Sequence, residues 1–277
     1  MISMSNIWDR TAEFLSDNLG ALLPIALLAI FVPTCITGNF AELRTGAESG
    51  LKLALSVASL AFQILSFWGG LVIMALALDP SSAKGAQGIA TRRLLPAIGV
   101  MLVLLVAILL LTLPIWGILV ASGYDFMAAA AGNPPPPPPG GASLALAIYT
   151  LVLVPLLLWI SARLVVVTPA VLAERRGLGA IPRSFWLTRG VALKIVGVIL
   201  LYAVVSFVAT AAAQGAFGTI FKLVTSSNGV DDGLSLAGVL TSIVVAAVST
   251  AFTVLSAAFS AKLFAALAAR HEAAAPA

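Results

Sequence analysis

Apolar residues along this chain gather into six long runs separated by short polar segments, at residues 20–38, 51–78, 94–120, 144–173, 191–214 and 235–268. A helix needs about 20 residues to cross a hydrocarbon core of about 30 Å, so each run predicts one transmembrane helix. The character of the runs excludes strands. A barrel alternates polar and apolar positions over segments of about ten residues, whereas these runs are apolar all round and rich in Leu and Ala. The predicted fold is all-α, a single membrane domain over residues 1–277 with six spans.

The segments before alternate spans carry a different, helical period. Over residues 5–19, Ile7, Thr11, Phe14, Leu15 and Leu19 share one face while Asp9, Arg10, Glu13, Asp17 and Asn18 fill the other, which predicts an amphipathic helix lying on the membrane surface. Residues 82–93 repeat the theme with Ala86, Ile89 and Ala90, ending on Arg92-Arg93. Before the fifth span, Leu178, Ile181, Phe185 and Trp186 supply an apolar side beside Arg183 and Arg189, with Pro182 in the first turn, where proline is tolerated. The chain thus reads as three units, each an interfacial helix followed by an out-and-back pair of spans. Residue identity between the units is poor, so internal repetition is a structural hypothesis; all three would enter from one side and be related by rotation about the membrane normal.

Composition supports the class: 61% of residues are hydrophobic and 9% charged, with mean hydropathy +1.10, against a charged content of about 25% in soluble domains. Charge adds the orientation. Of the fifteen Lys and Arg residues, twelve fall on one side of the six-span pattern: Arg10, Lys84, Arg92, Arg93, Arg163, Arg175, Arg176, Arg183, Arg189, Lys194, Lys262 and Arg270. Arg44, Lys52 and Lys222 fall on the other. Cytoplasmic loops retain basic residues, so both termini are predicted cytoplasmic, as expected of a bacterial inner-membrane protein. The net charge of +4 is spread over loops facing headgroups and is not gathered into a nucleic-acid patch. Asp9, Glu13 and Asp17 before the first span argue against a cleavable signal peptide, whose leading region is basic.

Candidate chemistry is sparse. The one histidine, His271, falls in the C-terminal tail, and the one cysteine, Cys35, lies within an apolar run. A metal cluster, a Ser-His or Cys-His dyad within the bundle and an intramolecular disulfide are therefore not expected. No phosphate-cradling glycine loop is present. Ser256 and Ser260 do not share a helical face with Lys262, which removes a Ser-Lys pair. The expectation is a non-enzyme without cofactor or metal. Every Asp and Glu falls in a loop or at a span end, which denies a transporter its usual ion handle, although prolines 24, 33, 114, 155 and 169 could break spans around a substrate.

Several span residues invite attention. Arg163, near an inner span end, is expected to snorkel to inner-leaflet phosphates, as are Lys194 and Lys262. Gln63 and Gln214 suit hydrogen bonds between helices. Ser249, Thr253, Ala257, Ala261 and Ala265 recur every four residues and form a stripe of small side chains for close helix packing, internally or in a homo-oligomer. The outer loop, 121–143, contains six consecutive prolines at 134–139. These make an extended rod of about 19 Å at about 3.1 Å per residue, read as a spacer in preference to a docking strip for a protein partner.

The stretch from Arg163 to Leu201 carries Pro169, Glu174, Arg183, Ser184, Trp186, Leu187, Arg189 and Gly190. This pattern resembles bacterial membrane proteins of the glycerophosphoryl diester phosphodiesterase membrane-domain type and the related YciC-like inner-membrane family. Leu22-Leu23-Pro24 and Leu94-Leu95-Pro96 look similar too. The resemblance implies a six-span plasma-membrane protein linked to envelope lipids. The phosphodiesterase of such proteins is a separate soluble domain, and this chain lacks the histidines that its chemistry requires. The leading expectation is a protein that organises anionic lipid or partner proteins, with Arg163, Arg175, Arg176, Arg183, Trp186 and Arg189 at the headgroup contact. The runner-up is a small-molecule or lipid carrier, which would need a polar cavity lined by Gln63 and Arg163.

Overall fold

The computed structural model describes residues 3–44, 48–81, 83–130, 137–225 and 236–273, and among these it holds helices and no strand. In chain order they are α1 (Met4–Asp17), α2 (Leu19–Ala26), a π-helical turn (Leu27–Phe31), α3 (Val32–Arg44), α4 (Ser49–Leu78), α5 (Ala83–Ala121), α6 (Phe126–Ala130), α7 (Gly140–Leu164), α8 (Val167–Ala173), α9 (Ala180–Leu187), α10 (Ala192–Thr225) and α11 (Leu236–Ala273). Six segments are long and apolar enough to cross a membrane: Leu19–Phe40, Ser49–Leu78, Ala83–Ala121, Gly140–Ala173, Ala192–Phe221 and Leu236–Ala273. The chain is an all-helical, multi-pass membrane protein. Of the proline run at 134–139, residues 134–136 lie outside the described residues.

Proline chemistry accounts for the irregularities in the spans. In the first, Pro33 has no N–H for the carbonyl of Ala29, and the turn before it widens so that the Val32 N–H bonds the carbonyl of Leu27. Gly69 of α4 packs against this wide turn so closely that an added Cβ would stand 2.7 Å from Ala29 Cβ. In the fourth, the helix stops at Leu164 and restarts at Val167. Pro169 explains the stop, because it leaves the Val165 carbonyl without a donor and its ring crowds that carbonyl.

The third span differs from expectation. Residues 83–93 do not form a separate interfacial helix; they continue without a break into the span as one 39-residue helix. Pro96 lies within it and is accommodated. Ala86 and Ala90 are buried in the common core, while Ile89, which the sequence placed on the same apolar side, is exposed.

Packing is concentrated at the basic end. One core cluster unites Ile7 and Phe14 of α1, Leu71, Ile73 and Leu76 of α4, Ala86, Ala90, Ala97 and Val100 of α5, Ala162 of α7, Val167 and Val171 of α8, Ala180 and Leu187 of α9, Ile195 of α10, and Ala257, Leu263 and Leu267 of α11. Toward the other end the large side chains are exposed, among them Leu53, Val57 and Leu60 of α4, Leu109 and Leu110 of α5, Leu151 of α7 and Phe207 of α10. There the helices are joined by isolated side-chain hydrogen bonds to a neighbour: the Tyr149 hydroxyl to the Leu111 carbonyl, the Tyr202 hydroxyl to the Phe252 carbonyl and the Asn39 amide to Ser242 Oγ. In lipid such bonds and close van der Waals contact replace the hydrophobic effect as the source of helix association.

The N-terminal helix also departs from its expected setting. Ile7, Thr11 and Phe14 are buried, but protein covers them: Trp8 packs on Phe259 at 4.6 Å between ring centroids, and Lys262 Nζ sits 4.9 Å over the Phe14 ring. Of the apolar face read as a membrane-surface face, Ile7, Thr11 and Phe14 are buried, Leu15 is partly buried and Leu19 is exposed.

Candidate functional site

At the basic end, α8 and α9 form a compact unit held to the spans by two latches. The first joins α9 to α7. Ser184, fully buried, donates its hydroxyl to the Arg163 carbonyl at 2.6 Å, and Arg163 Nη1 returns a bond to the Phe185 carbonyl at 3.1 Å. Carbonyls at the end of a helix lack partners within it, so each contact satisfies a group that the helix ends leave open. The Arg163 guanidinium also lies 5.0 Å over the Trp159 ring, which stacks edge-on to Phe185. Within the protein the Arg163 side chain, read from the sequence as reaching for headgroups, is partly buried. Its partners are a carbonyl and an aromatic face, and its Nε is buried without a hydrogen bond.

The second latch joins the 174–190 loop to the end of α11. Both carboxylate oxygens of Glu174 accept from Arg183 Nε, at 2.7 and 3.0 Å, and Arg176 Nε lies 3.1 Å from the same carboxylate. Arg183 in turn lies 4.8 Å over the Trp186 ring, and Trp186 stacks on His271 with centroids 3.9 Å apart. His271 Nε2 stands 3.3 Å from the Leu187 carbonyl; a carbonyl only accepts, so this contact assigns the proton to Nε2. Glu174, Arg183, Trp186 and His271 thus form one continuous ladder. His271 is part of α11 and docks against α9, a role that its position near the end of the chain did not signal.

The face that α9 buries is Ala180, Ser184 and Leu187, while Leu178 and Trp186 are exposed. This differs from the apolar side read from the sequence. Small and polar residues face the protein here because close approach of helices favours them.

Among the expected headgroup contacts, Arg163 and Arg183 are engaged within the protein and Arg176 shares Glu174. Arg175 and Arg189 are exposed, with no ion pair to either among the described residues. Arg175 has φ +54°, and Gly190, which follows Arg189, has φ +81°. The first is unusual for a side-chain-bearing residue, and the second explains why glycine ends this loop.

The small-residue stripe does not act as one surface. Ala257 and Ala261 are buried in the core, Ser249 is partly buried, and Thr253 and Ala265 are exposed. At 3.6 residues per turn each four-residue step advances about 40° around the helix, so the row winds off the packed face at both ends.

Gln63 is exposed on α4, away from Arg163. A cavity of about 640 Å³ lies among the first, fifth and sixth spans, with Thr34, Gln214, Gly218, Thr241 and Ser242 in its lining. Groups of three or more His, Cys, Asp or Glu residues placed to hold a metal do not occur among the described residues.

No family model, curated protein or solved structure matches this chain. The functional reading therefore rests on its own residues.

Proposed function

We propose that the chain is a non-enzymatic protein of a bacterial inner membrane that organises anionic lipid at its cytoplasmic face. The observation that carries this reading is the basic end itself, which combines most of the packed core with a loop, 174–190, fixed at both sides by the Arg163 and Glu174 latches. A rigid basic surface at headgroup level attracts anionic lipid at about 1 kcal/mol per residue without the ordering penalty of a floppy loop. In this reading the spans work as three hairpins with the basic end inward. The resemblance to the phosphodiesterase membrane-domain and YciC-like proteins belongs here too: Glu174, Arg183, Ser184, Trp186 and Leu187 each make a contact that builds the unit, which gives that motif a physical reason.

Native mass spectrometry of the protein released in mild detergent tests the reading. Retention of anionic over zwitterionic phospholipid is expected; a bare monomer with no lipid preference would overturn it. One observation favours a second reading, a carrier of small polar molecules: the cavity bearing Gln214, Thr241 and Ser242. Uptake into proteoliposomes that is lost on Gln214→Ala would establish it.

A further inference from the structure

Three of the basic residues converge on a pocket that the latches do not use. It lies where the end of α4, the first turns of α5 and the end of α8 meet, with a volume of about 320 Å³. Arg92, Arg93 and Arg175 line it together with Asp79, and Ile89 and Leu172 form part of its apolar wall. Three other arginines at this end are engaged within the protein: Arg163 with Phe185 and Trp159, and Arg176 and Arg183 with Glu174. The three in the pocket make no ion pair among the described residues, even with Asp79 beside them.

Two further features bear on what the pocket holds. Arg175 occupies the position just past the end of α8 in the left-handed conformation, at φ +54°, where helices favour glycine. A side chain kept in that conformation against about 1 kcal/mol of backbone strain is held there for what its guanidinium does. Asp79 is fully exposed, and the Ser81 hydroxyl and N–H hold its carboxyl below the usual range, so it is charged at neutral pH. Three guanidinium groups against this one carboxylate leave the pocket net positive, which attracts an anion.

We infer that this pocket is a binding site for the phosphodiester of an anionic phospholipid, with Arg92, Arg93 and Arg175 on the phosphate and the apolar wall against the lipid's glycerol and first methylenes. Guanidinium groups suit phosphate oxygens because their planar fork donates two parallel bonds. The inference rests on the lipid-organising reading above and gives it one address.

The test uses the full chain in mild detergent with phosphatidylglycerol and phosphatidylcholine added in equal amounts, read by native mass spectrometry. Wild type is expected to retain phosphatidylglycerol, and R92A/R93A and Arg175→Gly each to reduce that retention at least tenfold. Arg175→Gly relieves the strained φ, so its melting temperature should hold or rise, and loss of lipid in that variant is not loss of fold. R10A/R270A, at exposed positions outside both the pocket and the 174–190 loop, should keep the lipid. Equal losses from the pocket and outside variants would overturn the pocket while leaving the general reading intact. No preference for phosphatidylglycerol in wild type would overturn both. Displacement of the lipid by millimolar inorganic phosphate would assign the site to a soluble anion and overturn the lipid assignment.

Discussion

At the scale of single residues, the side chains that hold the basic end together can be separated by what they touch. Glu174 is mostly buried and accepts from two arginines, and a charge-assisted hydrogen bond contributes about 1.5–3 kcal/mol. Glu174→Gln is expected to destabilise the protein by about 1.5–3 kcal/mol, read as a lower melting temperature in detergent. The loss should be non-additive with Arg183→Met, because both act through one ladder; additive losses would show that the ladder is not coupled. Gly69 makes a different demand. Its Cβ position meets Ala29 Cβ at 2.7 Å and Ile30 Cγ1 at 3.3 Å, and neither the short Ala side chain nor the packed Ile can step aside freely. Gly69→Ala should therefore destabilise by about 1–3 kcal/mol through overpacking. The same change at Gly70, where an added Cβ meets nothing within 4 Å, should be neutral or stabilising.

At the scale of elements, the six runs placed their helices closely: 51–78 became Ser49–Leu78, and 20–38 became Leu19–Phe40. Hydropathy reports which residues leave water. It does not report whether lipid or protein receives them, and that ambiguity explains the misplaced faces of α1, α5 and α9. The α1 pattern of Ile7, Thr11 and Phe14 suits a membrane surface and a protein groove equally. Side-chain size is a partial signal within the spans: Ala86, Ala90, Ala97, Ala162 and Ala170 are buried while Leu95, Leu151 and Leu193 are exposed, yet Leu71, Ile73 and Leu263 are buried too. In lipid, small residues mark the packed face. The helix α1 offers a direct discrimination. Phe14 is almost completely buried against α11, so Phe14→Ala should cost about 3–5 kcal/mol of stability, as for an aromatic in a core. A helix resting on the bilayer would show an unchanged melting temperature and weaker membrane association of the N-terminal segment alone.

At the scale of the whole molecule, both α1 and the last turns of α11 lie at the same end. Trp8 meets Phe259, Phe14 meets Lys262, and His271 meets Trp186. The candidate site was only half legible in the sequence for a related reason. The arginines of the 174–190 loop stand out in an apolar chain, but which of them bind the protein and which face outward depends on partners distant in sequence, such as His271 for Trp186 and Arg163 for Ser184. Topology follows from the same end. Twelve basic residues on that side of the six-span pattern, against three on the other, predict that it faces the cytoplasm, because untranslocated loops retain Lys and Arg. In a Cys35→Ser background, Ser5→Cys and Glu272→Cys, both at exposed positions, should be protected in intact cells from a membrane-impermeant thiol reagent and become reactive on lysis. Asp125→Cys, also exposed and at the opposite end, should react in intact cells. The reverse pattern would place the packed basic end outside, where cytoplasmic-leaflet lipid cannot reach it, and would remove the physical basis of the headgroup reading together with the orientation.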